Sequence, residues 1–281
     1  MSNALPSVTF RDGQSVPALG LGTWHMGERS SEKSGEIRAL QAGIECGMTL
    51  IDTAEMYANG GAEEVTGEAI RGRRDEVFLV SKVLPSNASR HGTIAACEAS
   101  LKRLGTDHID LFLLHWPGRH PLDGTVEAFE ELHSSGKIGR WGVSNFDTVA
   151  LRQLTALPHG DKCSANQVLY NLSTRGIEFD LLPWMTDNAM PLMAYSPLDE
   201  GRLLRHPGLG KMAKRLGLPP AQLALAFLLH RDNVIAIPKS SSPERVAENR
   251  AAADISLTAE QLAELDQIFP PPRAREPLQM I

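Results

Sequence analysis

Three apolar runs in the first half of the chain each stop on an ionisable residue. Met48-Thr49-Leu50-Ile51-Asp52 ends on a carboxylate. Val77-Phe78-Leu79-Val80-Ser81-Lys82 ends on an ammonium, and Ile109-Asp110-Leu111-Phe112-Leu113-Leu114-His115 on an imidazole. Short apolar, β-branched runs read as buried strands. Five further segments share this character: 17–24, 140–144, 165–168, 191–196 and 234–238. One polar anchor per strand end gives Thr23, Asp52, Lys82, His115, Ser144, Gln167, Ser196 and Lys239, most of them roughly thirty residues apart.

Helical spacing fills the intervals over 36–44, 62–70, 94–104 and 126–132. Each stretch meets a glycine shortly beyond its apolar face, at Gly47, Gly72, Gly105 and Gly136. Eight such βα units predict a closed parallel (β/α)8 TIM barrel rather than an open sheet, with the polar strand ends converging at one mouth. The longest step, before Lys239, leaves room for an extra loop and helix. Ahead of the barrel, residues 7–16 alternate around Asp12-Gly13 and predict a β-hairpin. A late helix over 258–268 has Thr258 as its N-cap. Pro270-Pro271-Pro272 then forbids helix at the start of the short C-terminal tail, about 270–281. No interior stretch has a linker composition, so residues 1–281 are expected to be one domain.

Composition narrows the function. A net charge of −6 argues against a nucleic-acid partner. Cys46, Cys97 and Cys163 are scattered and match neither a disulfide framework nor a zinc motif. The N-terminus has no secretory pattern, and the longest apolar run, 223–229, is too short to cross a bilayer. The expected setting is the cytoplasm, with no membrane partner and a monomer or weak homo-oligomer.

Gly20-Leu21-Gly22-Thr23-Trp24-His25 lacks the third glycine of a Rossmann fingerprint. A phosphate-bearing ligand is better sought after the last strands of a barrel. Lys239-Ser240-Ser241-Ser242-Pro243-Glu244-Arg245 offers two cations, three hydroxyls and a helix start there. The same segment reads equally well as a capped, solvated helix start.

Asp52, Lys82 and His115 converge at the barrel mouth, and Tyr57 lies in the loop just beyond Asp52. A tyrosine donates a proton efficiently when a neighbouring ammonium favours its phenolate, and a carboxylate keeps that ammonium charged. His115 can hold a carbonyl oxygen. Singly, an Asp/Lys pair is most often a structural ion pair and a strand-end His a satisfied hydrogen-bonding residue. Four such groups at one mouth are harder to explain that way.

The motifs Gly22-Thr23-Trp24, Ile51-Asp52-Thr53-Ala54-Glu55-Met56-Tyr57, Ser81-Lys82, Leu114-His115-Trp116-Pro117, Gly142-Val143-Ser144-Asn145-Phe146, Asn166-Gln167-Val168, Ala194-Tyr195-Ser196-Pro197-Leu198 and Ile237-Pro238-Lys239-Ser240 through Arg245 and Glu248-Asn249 occur in order. Together they resemble the aldo-keto reductase superfamily over roughly residues 8–269. The likeness is greatest to short bacterial members that reduce methylglyoxal and similar small aldehydes. The resemblance implies an NADPH-dependent reductase of small carbonyl substrates. It makes Asp52, Tyr57, Lys82 and His115 a catalytic tetrad, with Tyr57 as general acid. It assigns Ser144, Asn145 and Gln167 to the nicotinamide carboxamide and Tyr195 to the nicotinamide ring. Ser196 and Leu198 match pyrophosphate contacts. Lys239, Ser240 and Arg245 match binders of the adenosine 2′-phosphate, and Glu248 and Asn249 match adenine contacts. Gly22, Thr23, Asp52, Pro197, Ile237 and Ser241 complete the implied NADPH/NADP+ surface. Trp24 and Trp116, with Tyr57 and His115, match the substrate pocket.

Two departures bear on the substrate. Val83-Leu84-Pro85 follows the lysine where many relatives carry a tryptophan, and the tail is short. Both speak against a large, tightly enclosed substrate. His115 stands where relatives that reduce steroid carbon–carbon double bonds carry glutamate. Two other classes compete. A Schiff-base aldolase would need Lys82 uncharged, which Asp52 opposes. A cofactor-binding regulatory subunit with little turnover would keep most of these residues.

Overall fold

The computed structural model describes residues 5–281. Strands β1 (Ser7–Thr9) and β2 (Ser15–Pro17) form an antiparallel hairpin. The barrel strands follow: β3 (Leu21–Gly22), β4 (Leu50–Asp52), β5 (Phe78–Val83), β6 (Ile109–Leu114), β7 (Ile138–Ser144), β8 (Asn166–Leu169), β9 (Leu192–Tyr195) and β10 (Val234–Ala236). These eight are all parallel and lie side by side in chain order. Parallel bridges Leu19–Ala236 and Gly22–Lys239 join first strand to last and close the barrel. The expected strand 17–24 keeps a regular ladder only at Leu21–Gly22, yet it stays hydrogen-bonded along the seam. Gly20 N donates to Ala236 O at 2.8 Å and Gly22 N to Pro238 O at 3.0 Å. Pro238 has no N–H to return, so the ladder cannot continue. The seam is also tight. A Cβ on Gly22 would sit 2.8 Å from the Ile237 carbonyl oxygen, so glycine lets the two backbones meet.

The period-2 alternation of a strand decides what the interior contains. Leu50, Phe78, Val80, Leu111, Leu113, Ala165, Met193 and Ile235 form the inner core with hairpin residues Val8, Phe10 and Val16. Two residues beyond Leu50, Val80, Leu113, Ala165 and Met193 stand Asp52, Lys82, His115, Gln167 and Tyr195. The parity that fills the barrel floor with hydrocarbon therefore lifts the polar groups above it. Residues of the opposite parity, among them Leu21, Ile51, Leu79, Phe112 and Val143, belong to the outer core under the helices.

The helices are α1 (Lys33–Glu45), α2 (Gly61–Ala69), α3 (Arg90–Leu104), α4 (Leu122–Ser134), α5 (Thr148–Thr155), α6 (Leu181–Asp187), α7 (Pro207–Leu216), α8 (Pro220–Leu229), α9 (Pro243–Arg250) and α10 (Ala259–Ile268). Those expected from spacing match α1 to α4 and α10: α1, α3 and α4 are a few residues longer at one end or both, α2 is shifted by one residue, and α10 starts one residue later. Thr258 caps α10 in a reciprocal box with Gln261. The long step before Lys239 holds one helix more than the other steps, α7 ahead of α8. The tail contains no helix or strand. No helix among the described residues is long and apolar enough to cross a membrane.

The hairpin plugs the barrel floor. Phe10 is 2% exposed and stacks on Phe78 at 5.4 Å. The Arg140 guanidinium lies 4.9 Å from the Phe10 ring and pairs with Asp12 at 2.6 Å, tying the hairpin tip to β7. Phe10→Ala should lower unfolding free energy by about 3–5 kcal/mol, the usual range for emptying a buried aromatic site. Urea denaturation checks this, and a loss under about 1 kcal/mol would mean the hairpin is not a structural plug.

Candidate active site

Lys82 is fully buried and Asp52 is 2% exposed. An ammonium in such a place must find an acceptor for each hydrogen. Lys82 Nζ has three: Asp52 Oδ2 at 2.8 Å, the Thr53 carbonyl at 2.8 Å and Tyr57 Oη at 3.3 Å. The other Asp52 oxygen, Oδ1, accepts from Gln167 Nε2 at 2.7 Å. Burial lowers the Lys82 pKa, and the Asp52 carboxylate opposes that loss of charge.

Tyr57 opens a single 3₁₀ turn, Tyr57–Gly60, that runs directly into α2. Ala58 and Asn59 both have φ of 51° and Gly60 has φ of 92°. A left-handed conformation costs a residue with a Cβ roughly 1–2 kcal/mol, so surrounding contacts must hold this turn. Because Tyr57 Oη accepts from Lys82, its own hydrogen is free to point elsewhere. The expectation that Lys82 favours the phenolate and so lowers the tyrosine pKa meets a stronger opposing effect. Burial, and after it the Asp52 carboxylate, hold the Tyr57 pKa well above its ordinary value.

His115 sits edge-on to Tyr57, ring centroids 5.6 Å apart. Burial, then the Lys82 charge, push its pKa down to about 2, so the imidazole is neutral. Its Nδ1 is buried with no hydrogen-bond partner among the described residues. An unpaired lone pair there costs less than an unpaired N–H, which assigns the proton to Nε2.

One cavity of about 990 Å³ opens above these groups. Asp52, Tyr57 and His115 line it, while Lys82 lies beneath, bonded to two of them, Asp52 and Tyr57. Every residue that the sequence pointed to for cofactor or substrate contact borders the same cavity. Ser144, Asn145 and Gln167 form one stretch of wall, although Gln167 is turned onto Asp52. Tyr195 donates to Asn145 Oδ1 at 3.0 Å, which fixes its ring. Ser196 takes a left-handed φ of 45°, and its carbonyl accepts from Asn171 Nδ2 at 3.0 Å. Pro197, Leu198 and Ile237 continue the wall, and Gly22 and Thr23 border it beside Trp24 and Trp116.

At the far end, α9 begins with Ser242 as N-cap and Pro243 in the first turn. Lys239 and Arg245 are exposed on either side of this start, with Ser240 and Ser241 between them. Among the described residues neither cation makes an ion pair, whereas the adjacent Glu244 is bonded to Ser242 Oγ. Unpaired cations at a helix N-terminus suit an anion. Glu248 and Asn249 follow on the same helix.

The sequence reading missed part of the rim. His25, Met56, Glu200, Leu204, Met280 and Ile281 also line the cavity. Met280 and Ile281 belong to the tail, which Arg275 straps down through Asp147 at 3.2 Å and Asp180 at 3.3 Å. No periodicity marks such loop residues. The spread of the tail's charges along the chain gave no signal either.

Comparison with known proteins agrees with this geometry. The sequence profile of the Aldo/keto reductase family matches residues 18–269. The chain is 49% identical over 279 residues to the methylglyoxal reductase YeaE of Escherichia coli (strain K12), covering 98% of each. It is 33% identical over 269 residues to an aldo-keto reductase of Mycolicibacterium smegmatis, covering 92% of each. The crystal structure of an aldo/keto reductase from Klebsiella pneumoniae in complex with NADP and acetate matches with a TM-score of 0.96. Its sequence identity is 51%, over 99% of this chain and 100% of that one. Motif order, barrel and relatives coincide, and the chain belongs to the aldo/keto reductase family.

Proposed function

We propose that this protein, one barrel domain over residues 1–281, is an NADPH-dependent reductase of small aldehydes or ketones, methylglyoxal-like in size. Its reaction class is that of an NADP+-type alcohol dehydrogenase. One observation carries the reading. Lys82 spends its third hydrogen on Tyr57 Oη, so the phenolic hydrogen is left for the cavity, opposite His115. The relatives support it: one is named for methylglyoxal reduction, and another was crystallised with NADP.

The residues fit a phosphorylated dinucleotide. Lys239, Ser240, Ser241 and Arg245 would take the 2′-phosphate at the α9 start, with Glu248 and Asn249 beside the adenine. Ser196, Pro197 and Leu198 would take the pyrophosphate. Tyr195, anchored by Asn145, would back the nicotinamide, with Ser144, Asn145 and Gln167 at its carboxamide and Gly22, Thr23 and Ile237 closing the groove. When bound, the cofactor supplies a hydride to the carbonyl carbon. His115 donates from Nε2 to the carbonyl oxygen and fixes its position. Tyr57 gives that oxygen its proton as negative charge builds on it. Its raised pKa keeps the proton on the phenol until an oxygen more basic than phenolate appears. Lys82 stabilises the phenolate left behind, and Asp52 keeps Lys82 charged. Trp24 and Trp116 wall the substrate side.

Tyr57→Phe removes only the phenolic hydroxyl. It should cost about 10²–10⁴-fold in kcat, with the NADPH dissociation constant within about twofold of wild type. Wild-type turnover on a small aldehyde would exclude Tyr57 as the donor. Lys82→Met should be comparably damaging. The double variant should lose far less than the product of the single losses, since the two act as a unit. A multiplicative loss would separate their roles.

The pH profile follows from the directions above. The acid must be protonated to act, and burial with Asp52 raises the Tyr57 pKa, so the active form persists into alkaline solution. Burial and the Lys82 charge hold the His115 pKa down to about 2, so the imidazole is neutral across the working range and adds no limb near its ordinary value. The kcat should be flat between about pH 5 and 8 and fall only on the alkaline side, where the Tyr57–Lys82 pair titrates. A break near pH 6.5 that vanishes in His115→Gln would contradict the neutral imidazole.

Arg245→Ala should weaken NADPH about tenfold to hundredfold and leave NADH almost unchanged, because a charge-assisted phosphate contact contributes roughly 1.5–3 kcal/mol. The pair is exposed, so NADPH affinity should also fall with salt. Fluorescence titration of both cofactors decides it. Equal factors for both would mean that Arg245 only solvates the start of α9.

A further inference from the structure

The turn that presents Tyr57 runs through three consecutive left-handed residues, and helix propensity alone does not hold such a turn in place. Behind it lies a cluster around a buried carboxylate that the reaction scheme does not use. Glu63, in the first turn of α2, is fully buried. Its Oε1 accepts from Ser81 Oγ at 2.5 Å, and its Oε2 accepts from Arg103 Nε at 2.6 Å. Ser81 precedes Lys82 in β5, and its side chain faces outward because that of Lys82 faces inward. Arg103 comes from α3 and also donates to Ser100 Oγ at 3.2 Å. Its stem presses on the turn itself, since a Cβ on Gly60 would collide with Arg103 Cδ.

We propose that Glu63 is a positioning residue for proton delivery: through Ser81 and Arg103 it clamps the Tyr57 turn to the strand that carries Lys82. The inference rests on Tyr57 as the proton donor. The clamp joins three elements at one carboxylate. Ser81 fixes α2 against β5 one residue from Lys82, and Arg103 backs the left-handed end of the turn. The Lys82–Tyr57 contact of 3.3 Å spans the gap that these bonds set. The Glu63 charge has a second effect in the same direction. Lys82 is faced by Asp52, Tyr57 Oη, the Thr53 carbonyl and His115, and Glu63 from the α2 side is a further carboxylate favouring the ammonium. The Arg103 guanidinium tempers that effect without cancelling the bond to Ser81.

The test is Glu63→Gln in the full chain, assayed with NADPH and a small aldehyde. The kcat should fall about tenfold, as expected for a slight misplacement of a reacting group. NADPH affinity should stay within about twofold, and the alkaline limb of kcat should move to lower pH. In a Tyr57→Phe background the same change should produce no further loss, because the group it positions is gone. An ion pair that only steadies the fold would leave the pH limb in place and cost the same factor in both backgrounds. Either result, or wild-type kcat in a folded Glu63→Gln, overturns the proposal. If Glu63→Gln does not fold, Ser81→Ala leaves the Glu63–Arg103 pair intact and cuts only the tie to β5. A reduced kcat at unchanged NADPH affinity then supports the clamp, and wild-type kcat overturns it. Tyr57→Phe alone separates the two levels. If it keeps turnover, the parent reading fails, whereas an inactive Tyr57→Phe beside an unaffected Glu63→Gln removes only the clamp.

Discussion

An ammonium with no solvent contact is the constraint on which the rest of this site depends. Lys82 stands on the barrel axis side of β5, above a floor of Phe78 and Val80, where an unpaired charge would be severely destabilising. The fold meets that demand with one carboxylate, one main-chain carbonyl and one phenol oxygen. Each partner is then constrained in turn. Asp52 is fixed from its other side by Gln167, and Tyr57 must present its oxygen, not its hydrogen, to the lysine. The direction of the phenolic proton is therefore a consequence of satisfying a buried lysine. Removing either member of such a pair strands the other, so function and local stability are coupled here.

The same logic explains why the chemistry sits at one end. The floor is closed by a hairpin whose aromatic and valine residues complete the inner core, so only the C-terminal strand ends are free to carry polar groups. Loops after the strands then supply what strand ends cannot: the Tyr57 turn, the left-handed Ser196 and the α9 start with its two exposed cations. The apolar outer rim of Met56, Leu204, Met280 and Ile281 comes from three separate segments.

The legibility of these parts in the sequence differs for physical reasons. Asp52, Lys82 and His115 were readable because burial on both faces makes a strand a continuous apolar run, and a charge at its end stands out. The hairpin, the glycine stops and the α10 cap were readable because each is a local steric rule. The roles proposed for Ser144, Asn145, Gln167 and Tyr195 rest on family resemblance, as an amide or phenol at a strand end carries no chemistry by itself. The rim residues of the tail had no periodic pattern, since a strap held by Arg275 needs only ion pairs across space. Glu63 and Arg103 are hidden for a similar reason. In sequence they are ordinary charges on helices, and only the packing of α2, α3 and β5 reveals a buried Glu63 paired with a half-buried Arg103. The pKa direction of Tyr57 also needed the structure, because burial outweighs what a neighbouring lysine suggests on paper.

The central claim is that Asp52 keeps Lys82 charged against its burial and so sets the proton on Tyr57. Selective nitrogen labelling of lysine, with Lys82 assigned by its loss in Lys82→Met, allows its Nζ signal to be titrated directly by NMR. The account predicts an ammonium at neutral pH in the wild-type protein. In Asp52→Asn it predicts a clear downward shift of the Lys82 midpoint, with kcat falling over the same pH range. A wild-type Lys82 that is already neutral at pH 7, or a midpoint unmoved by Asp52→Asn, would contradict it.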